Sequence, residues 1–341
     1  MQPSVVAVLG TGSIGGAHLR ALSQEASVRP VAVPVRRTRL AELAAAGFGV
    51  AEDLAEAARQ GATAAVIATD SGRHLGDALE AMACGLDLLV EKPLAVDAEE
   101  ARQLCARAEA LSRHVFVGCT LRFSESLGRF REWLPRVGRV HAVRIECRSF
   151  LPSWRPGRPY QASYSSRRGE GGVLRDLIHE IDYAGWLFGW PAAVHARLSN
   201  LGRLGIDAEE LAELTWEDRY GGVVSVGLDY LTAPTRRRMQ AFGERGMLEW
   251  DGVEQAVRLS LAGRPEERVA SPQAREAMLQ AQDLAALRAW RGEPDARLAS
   301  GEDGWRALAV CDAARRSSET GREEPVAYGV PNRTRAAEAT V

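Results

Sequence analysis

Long apolar runs are missing from these 341 residues. No segment approaches the about 18–20 uninterrupted apolar residues of a membrane-spanning helix, so a membrane partner is not expected. There is no basic region followed by an apolar core and a small-residue cleavage site at the start, which points to a cytoplasmic protein. Cysteine is scarce: Cys84, Cys105, Cys119, Cys147 and Cys311 are odd in number and lack C-x-x-C spacing. Neither a disulfide framework nor a metal site is therefore expected. Charge of one sign is also lacking: 43 basic and 45 acidic residues leave a net charge of −2, with no electrostatic case for nucleic acid. Repeats and low-complexity linkers are absent. What remains is an ordinary globular composition, 46% hydrophobic and 26% charged, in a chain long enough for two domains.

The first signal is Ser4–Leu9, continuous enough in Val and Ala for a strand buried on both faces. Gly10-Thr11-Gly12-Ser13-Ile14-Gly15 follows, and then helical spacing at Ile14, His18 and Leu22. This is G-x-G-x-x-G between a strand and a helix, the setting in which the motif binds a dinucleotide. Gly10 permits the tight turn, Gly12 lets the backbone approach the pyrophosphate, and Gly15 lets helix and strand pack closely. The helix N-terminus, with Ser13 and Ile14, supplies amides and a positive dipole end to the phosphates. Past the second strand (Pro30 to Val35) an NAD binder carries an acid for the ribose 2′-OH. Here Val35-Arg36-Arg37-Thr38-Arg39 has none. Arg36 and Arg37 suit a 2′-phosphate, so NADP is favoured over NAD, the alternative being that these arginines simply begin a solvated helix.

Strand-end positions then line the cofactor, because open α/β sheets bind ligands at the carboxyl ends of their strands. Thr69 follows one buried strand, with His74 at the start of the next helix. Glu91-Lys92-Pro93 follows the strand Asp87–Val90. A lysine there can hydrogen-bond a ribose and a substrate oxygen and favour anionic character on an alcohol oxygen, and Pro93 fixes the backbone beside it. Further on, Gly169, Gly171 and Gly172 precede a stretch, Val173 to Trp186, that reads as one helix. On it Asp176, His179 and Asp182 share a face, because residues three or four apart are neighbours. A carboxylate beside an imidazole can orient a proton carrier and tune it near neutrality.

These three pieces in order resemble the glucose–fructose oxidoreductase / inositol dehydrogenase / rhizopine catabolism family of dehydrogenases, with the likeness running from Val5 to about Arg322. The resemblance implies an α/β protein: an N-terminal Rossmann domain with a doubly wound parallel sheet (1–119), then an α+β domain with a large, mostly antiparallel open-faced sheet (120–325) and a tail (326–341). It implies that Lys92 is the catalytic lysine, joined to Pro93 by a cis bond, and that His179 is the acid–base group. Asp176 would complete the set, although many members place that acid four residues before the histidine rather than three. Asp182 is the reserve partner of His179. Arg122 and Phe123 would sit near the cleft. Trp154, Arg155, Arg158, Tyr160 and Tyr164, in an aromatic and arginine-rich loop, offer flat surfaces and forked donors for a polyhydroxylated ligand.

Later segments read as hairpins at Gly221-Gly222 and Gly243–Gly246, with Val224, Val226, Leu228 and Tyr230 on one strand face. Helices are expected from Ser271-Pro272 and from Asp303. The polar face of this sheet suits a homodimer or homotetramer, as in relatives. The expected activity is NAD(P)-dependent oxidation of a secondary alcohol, or reduction of its ketone, on a sugar, cyclitol or sugar derivative. A sugar-sensing regulator without chemistry and a glycosidase using NAD as a transient oxidant are the alternatives.

Overall fold

The computed structural model describes residues 3–155, 157 and 159–328, so Arg158 and the tail beyond Tyr328 lie outside the described residues. The first sheet is built from β1 (Ser4–Leu9), β2 (Val28–Val33), β3 (Gly49–Val50), β4 (Ala62–Ile67), β5 (Asp87–Val90) and β6 (Val115–Val117). Their order across the sheet is β3-β2-β1-β4-β5-β6, all parallel. The helices between them are α1 (Ser13–Ser23), α2 (Leu40–Ala45), α3 (Leu54–Arg59), α4 (His74–Ala83) and α5 (Ala98–Ala110). Near-continuous apolar strands such as β1 and β4 are sealed on both faces, as parallel strands covered by helices must be. Strand order reverses between β1 and β4, and the crevice that opens there is where such sheets take ligands.

The chain then builds a second sheet. After α6 (Glu125–Trp133) come β7 (Val140–Arg148), α7 (Val173–Asp176), α8 (His179–Phe188), β8 (Ala193–Ser199), β9 (Leu211–Glu217) and β10 (Val223–Asp229). β11 (Arg236–Gly243), β12 (Gly246–Asp251), β13 (Ala256–Leu261) and β14 (Glu267–Ala270) follow. With β16 (Glu324–Pro325) the order is β14-β13-β12-β11-β7-β10-β9-β8-β16, antiparallel except where β7 meets β10. Alternation decides the faces: Val143, Ile145 and Cys147 of β7 are buried, while Arg144 and Glu146 point the other way. Val224, Val226, Leu228 and Tyr230 are likewise all buried.

Residues 275–300 return to the first sheet. α9 (Arg275–Trp290) lies on α1 and joins its core through Ala285, Ala286 and Leu287 against Leu19 and Leu22. β15 (Ala299–Ser300) adds an antiparallel edge to β6. α10 (Gly301–Thr320) packs on both α5 and β8 and so ties the two sheets together. It is bounded by a Ser300/Asp303 capping box and by Gly321 at φ +68°. α9 begins three residues later than Ser271-Pro272 suggests. Gln255 holds the backbone of Gln273 through both its amide groups and Ser271 donates to the Gln255 carbonyl, which keeps 271–274 out of the helix. Among the described residues no helix is long and apolar enough to cross a membrane.

Two local features prepare the site. At the first turn Gly10 takes φ +87°, and a Cβ there would lie 2.6 Å from the Ala68 carbonyl oxygen. A Cβ on Gly15 would lie 1.8 Å from the Gly10 carbonyl oxygen, so only glycine lets α1 start this close to the strands. Second, the stretch expected as one helix is two. Leu177, at φ −97° and ψ 31°, breaks the ladder, and the Glu180 amide donates to Leu177 rather than to Asp176. The Asp176 carbonyl is thereby free for another donor.

Arg122, on the short turn Thr120–Phe123, does not face a cleft. It is 2% exposed, forks onto Asp182 at 2.7 and 2.9 Å, reaches Asp303 at 3.2 Å and lies over the Trp186 ring. Its donors are spent inside the protein, so neither the substrate role expected for Arg122 nor the His179-partner role held in reserve for Asp182 survives. Removing one side of a buried pair leaves an uncompensated charge. Asp182→Asn is expected to lower the unfolding free energy by about 3 kcal/mol in urea titration. A loss under about 1 kcal/mol would show that Asp303 alone neutralises Arg122.

Candidate active site

A groove of about 920 Å³ runs along the crevice between β1 and β4. Its floor is Gly10, Thr11, Gly12 and Ser13, and Thr69 lies on its far wall. α1 opens at Gly12 with no side chain on its free amides, whereas α3, α5 and α6 are capped by Asp53, Asp97 and Ser124. A Cβ on Gly12 would meet nothing within 4 Å and would project into free space, so its absence keeps the amides open to a phosphate. Ile14 packs on the core beside α1 and Gly15 is sealed in the turn. This donor set fits the pyrophosphate of a dinucleotide.

The wall past β2 departs from expectation. The strand ends at Val33, and Arg36 lines the groove with Arg20, Arg39 and Arg73. Arg37 does not: it turns away to Glu52 at 3.1 Å and is largely exposed. Arg39 takes a place beside Arg36, donating to the Thr11 carbonyl and hydroxyl and forking onto Glu42. The hydrogen bond from Arg39 holds the Glu42 carboxyl below its usual range and occupies it.

At the other strand ends the expected groups divide. Lys92 is half-buried, its bond to Pro93 is cis, and its ammonium donates to the Asp176 carbonyl at 2.8 Å. His74 is 1% exposed, with Nδ1 2.8 Å from the Pro93 carbonyl and Nε2 3.1 Å from that of Thr69. Burial pushes its pKa down against the opposing pull of the two carbonyls, and the ring packs between two strand ends rather than lining the groove. Glu91 is buried too and faces His18 at 3.1 Å instead of the groove, and Pro93 is buried behind it. Thr69 donates its hydroxyl to Asp77, which Arg73 also holds.

His179 opens α8 half-buried, close enough to Lys92 for the ammonium's charge to act on it. Its Nδ1 is sealed from solvent with no hydrogen-bond partner among the described residues. Burial first, then the positive charges of Lys92, Arg237 and Arg275, lower its pKa well below the ordinary 6.5. Asp176 does not bond His179, because the break turns the two residues apart. Its Oδ2 accepts from the Tyr230 hydroxyl at 2.6 Å, and Oδ1 is buried without a partner among the described residues. Tyr164 stands beside the same carboxylate; burial and then that charge hold its phenol well above the usual range.

Tyr164 also lines a pocket of about 270 Å³ with Trp154, Tyr160, Arg155 and Asp70. Trp154 is fixed by a bond from Nε1 to the Ser149 hydroxyl and an edge contact with Tyr230, and Tyr160 donates to the Leu204 carbonyl. Sequence reading missed Tyr230, Arg39 and the buried His18. It also passed over a count: Lys92 is the only lysine, since 42 of the 43 basic residues are arginine.

Residues 5–119 match the family model described as an oxidoreductase family with an NAD-binding Rossmann fold, and residues 135–249 match the GFO/IDH/MocA C-terminal domain. The chain is 32% identical over 187 residues to the rhizopine catabolism protein MocA of Rhizobium meliloti, covering 53% of this chain and 56% of that protein. It is 32% identical over 188 residues to an inositol 2-dehydrogenase of Rhizobium meliloti (strain 1021), covering 53% and 54%. The chain thus matches about half the length of these two relatives. The match to myo-inositol dehydrogenase Hyg17 of Streptomyces leeuwenhoekii is longer, 31% identity over 261 residues, 72% of this chain and 75% of that one. The fold is that of levoglucosan dehydrogenase in complex with NADH and levoglucosan (TM-score 0.84, 19% identity, 96% and 100% covered). It is also that of GenD2 from gentamicin A biosynthesis in complex with NAD (0.81, 24%, 95% and 97%). The chain belongs to the GFO/IDH/MocA oxidoreductase family, with its NAD-binding Rossmann fold.

Proposed function

We propose that this protein is an NAD(P)-dependent oxidoreductase acting on a secondary alcohol, or its ketone, in a sugar, cyclitol or sugar derivative. The observation that carries this reading is the placement of the sole lysine. Arginine serves at 42 positions, and the one lysine stands just past β5, the strand next to β4, whose own end at Ala68 and Thr69 lines the groove. An ammonium is a compact point charge with three rotatable donors that can turn toward a single substrate oxygen, whereas a guanidinium is a planar fork suited to two-point contacts. The relatives named as inositol dehydrogenases support the substrate class.

A bound nicotinamide dinucleotide supplies the hydride chemistry. Lys92, oriented by the Asp176 carbonyl, donates to the substrate hydroxyl and favours its alkoxide character. His179, neutral at pH 7 because burial and nearby cations suppress its charging, accepts the proton. Asp176 acts through Tyr230 and its own backbone and does not serve as a proton carrier in contact with His179. Trp154, Tyr160 and Tyr164 form the wall against which a polyhydroxylated ring is read. Arg144, Glu146, Arg148 and Arg238, on the polar face of the second sheet, offer charged contacts between copies of the chain, as a homodimer or homotetramer.

The cofactor reading follows from the wall past β2. Arg36 and Arg39 stand where an NAD binder has an acid, and Glu42 is already held by Arg39, which supports NADP.

In a polyol panel followed by absorbance of the reduced nicotinamide, Lys92→Met is expected to lose at least 100-fold in kcat while binding dinucleotide normally. A variant within threefold of wild type would refute the mechanism. The acid limb of kcat/KM for oxidation is expected below pH 6.5, since the neutral base persists as pH falls until the lowered pKa is crossed. His179→Asn should erase that limb, and an unchanged profile would remove the acid–base role. By fluorescence titration NADPH is expected to bind more tightly than NADH, with Arg36→Ala cutting the preference at least tenfold. Tighter binding of NADH to wild type would return the arginines to the solvated surface.

A further inference from the structure

One buried cluster has no part in the reaction proposed above. His18 of α1 is 0% exposed, with Nδ1 2.8 and 2.9 Å from the two carboxylate oxygens of Asp283 on α9. Its Nε2 lies 3.1 Å from Oε1 of Glu91, the residue before Lys92. A neutral imidazole has one N–H, so in that state one bare nitrogen would face a buried carboxylate. With a carboxylate on each side, donation from both nitrogens satisfies both charges, and the ring is a cation. Burial alone would lower its pKa; Asp283 and then Glu91 overcome this and raise it to about 10. Lys92 and His74 lie behind Glu91, and Gln282 beside Asp283, so these complete the charged and polar surroundings.

Glu91 is held by two hydrogen bonds. His18 donates to one oxygen and the Lys92 backbone amide to the other at 3.3 Å, while Gly118 leaves room for the first, since a Cβ there would come within 2.6 Å of it. The carboxylate is thus bonded at both oxygens, one of them to the backbone that carries Lys92. We propose that His18 is a positioning residue: an imidazolium clamped between Asp283 and Glu91, it fixes the turn that carries Lys92 and couples it to the helix whose N-terminus forms the cofactor groove. The inference rests on reading Lys92 as the reacting group. It adds a charge relay of position from α9 through α1 to the strand end, joining residues 265 and 73 apart in sequence.

Lys92 being the only lysine makes this measurable. In full-length protein labelled with ¹⁵N-histidine and ¹⁵N-lysine, one of the six imidazoles is expected to stay doubly protonated through pH 9, and that signal should vanish in His18→Gln. His18→Gln should also displace the single lysine side-chain resonance and lower kcat at least tenfold, with KM and dinucleotide affinity within twofold. Asp283→Asn should move the same readouts in the same direction by less. All six imidazoles neutral by pH 8, or a folded His18→Gln with an unmoved lysine signal and kcat within twofold, would overturn the proposal. If His18→Gln does not fold, Asp283→Asn and the wild-type pH series decide. Should wild type oxidise no polyol, the two NMR readouts still test the clamp, so its failure and that of the proposed reaction are told apart.

Discussion

The bond from the Lys92 ammonium to the Asp176 carbonyl is the contact on which the arrangement depends. It exists because a helix is broken. In an unbroken helix that carbonyl would accept from Glu180; the turn at Leu177 releases it, and the lysine at the end of β5 takes it. One hydrogen bond thus sets the cofactor-binding sheet against the helix pair that carries His179. The break also separates Asp176 from His179, which gives the carboxylate to Tyr230 and leaves the imidazole among cations. Position and electrostatics follow from the same local event.

Buried charge stiffens the surroundings of this contact. Arg122 joins Asp182 on α8 to Asp303 on α10, Arg237 reaches Glu180 from β11, and His18 ties α1 to α9 and β5. Such pairs add little net stability over apolar packing, but each is costly to break from one side. They favour a single arrangement of the elements that flank the cleft. The surface ion pair of α5, by contrast, is exposed and contributes little.

Much of this was legible in the sequence. The glycine motif, the strand that delivers Lys92 and the alternation of β10 all stand as their spacing implies, because each depends on neighbours within a few residues. The helix break did not announce itself, since apolar periodicity runs unbroken from Val173 to Trp186 and the deciding donor is 84 residues away. The same distance effect hid the partners of Arg122, Glu91 and His18. Arg36 and Arg37 were indistinguishable in the sequence. Only the turn after β2 decides that one faces the groove and the other Glu52. The single lysine was plain to count and would have singled out Lys92 without any motif.

That singularity also offers the most direct test of the central claim, that Lys92 is the group on which turnover depends. Acylating folded protein for increasing times modifies one lysine side chain and the N-terminal amine, which peptide mass spectrometry distinguishes. Residual oxidation of the best polyol, plotted against the fraction of Lys92 acylated, is predicted to fall linearly to near zero and to ignore the N-terminal fraction. Full activity with Lys92 completely acylated would contradict the account.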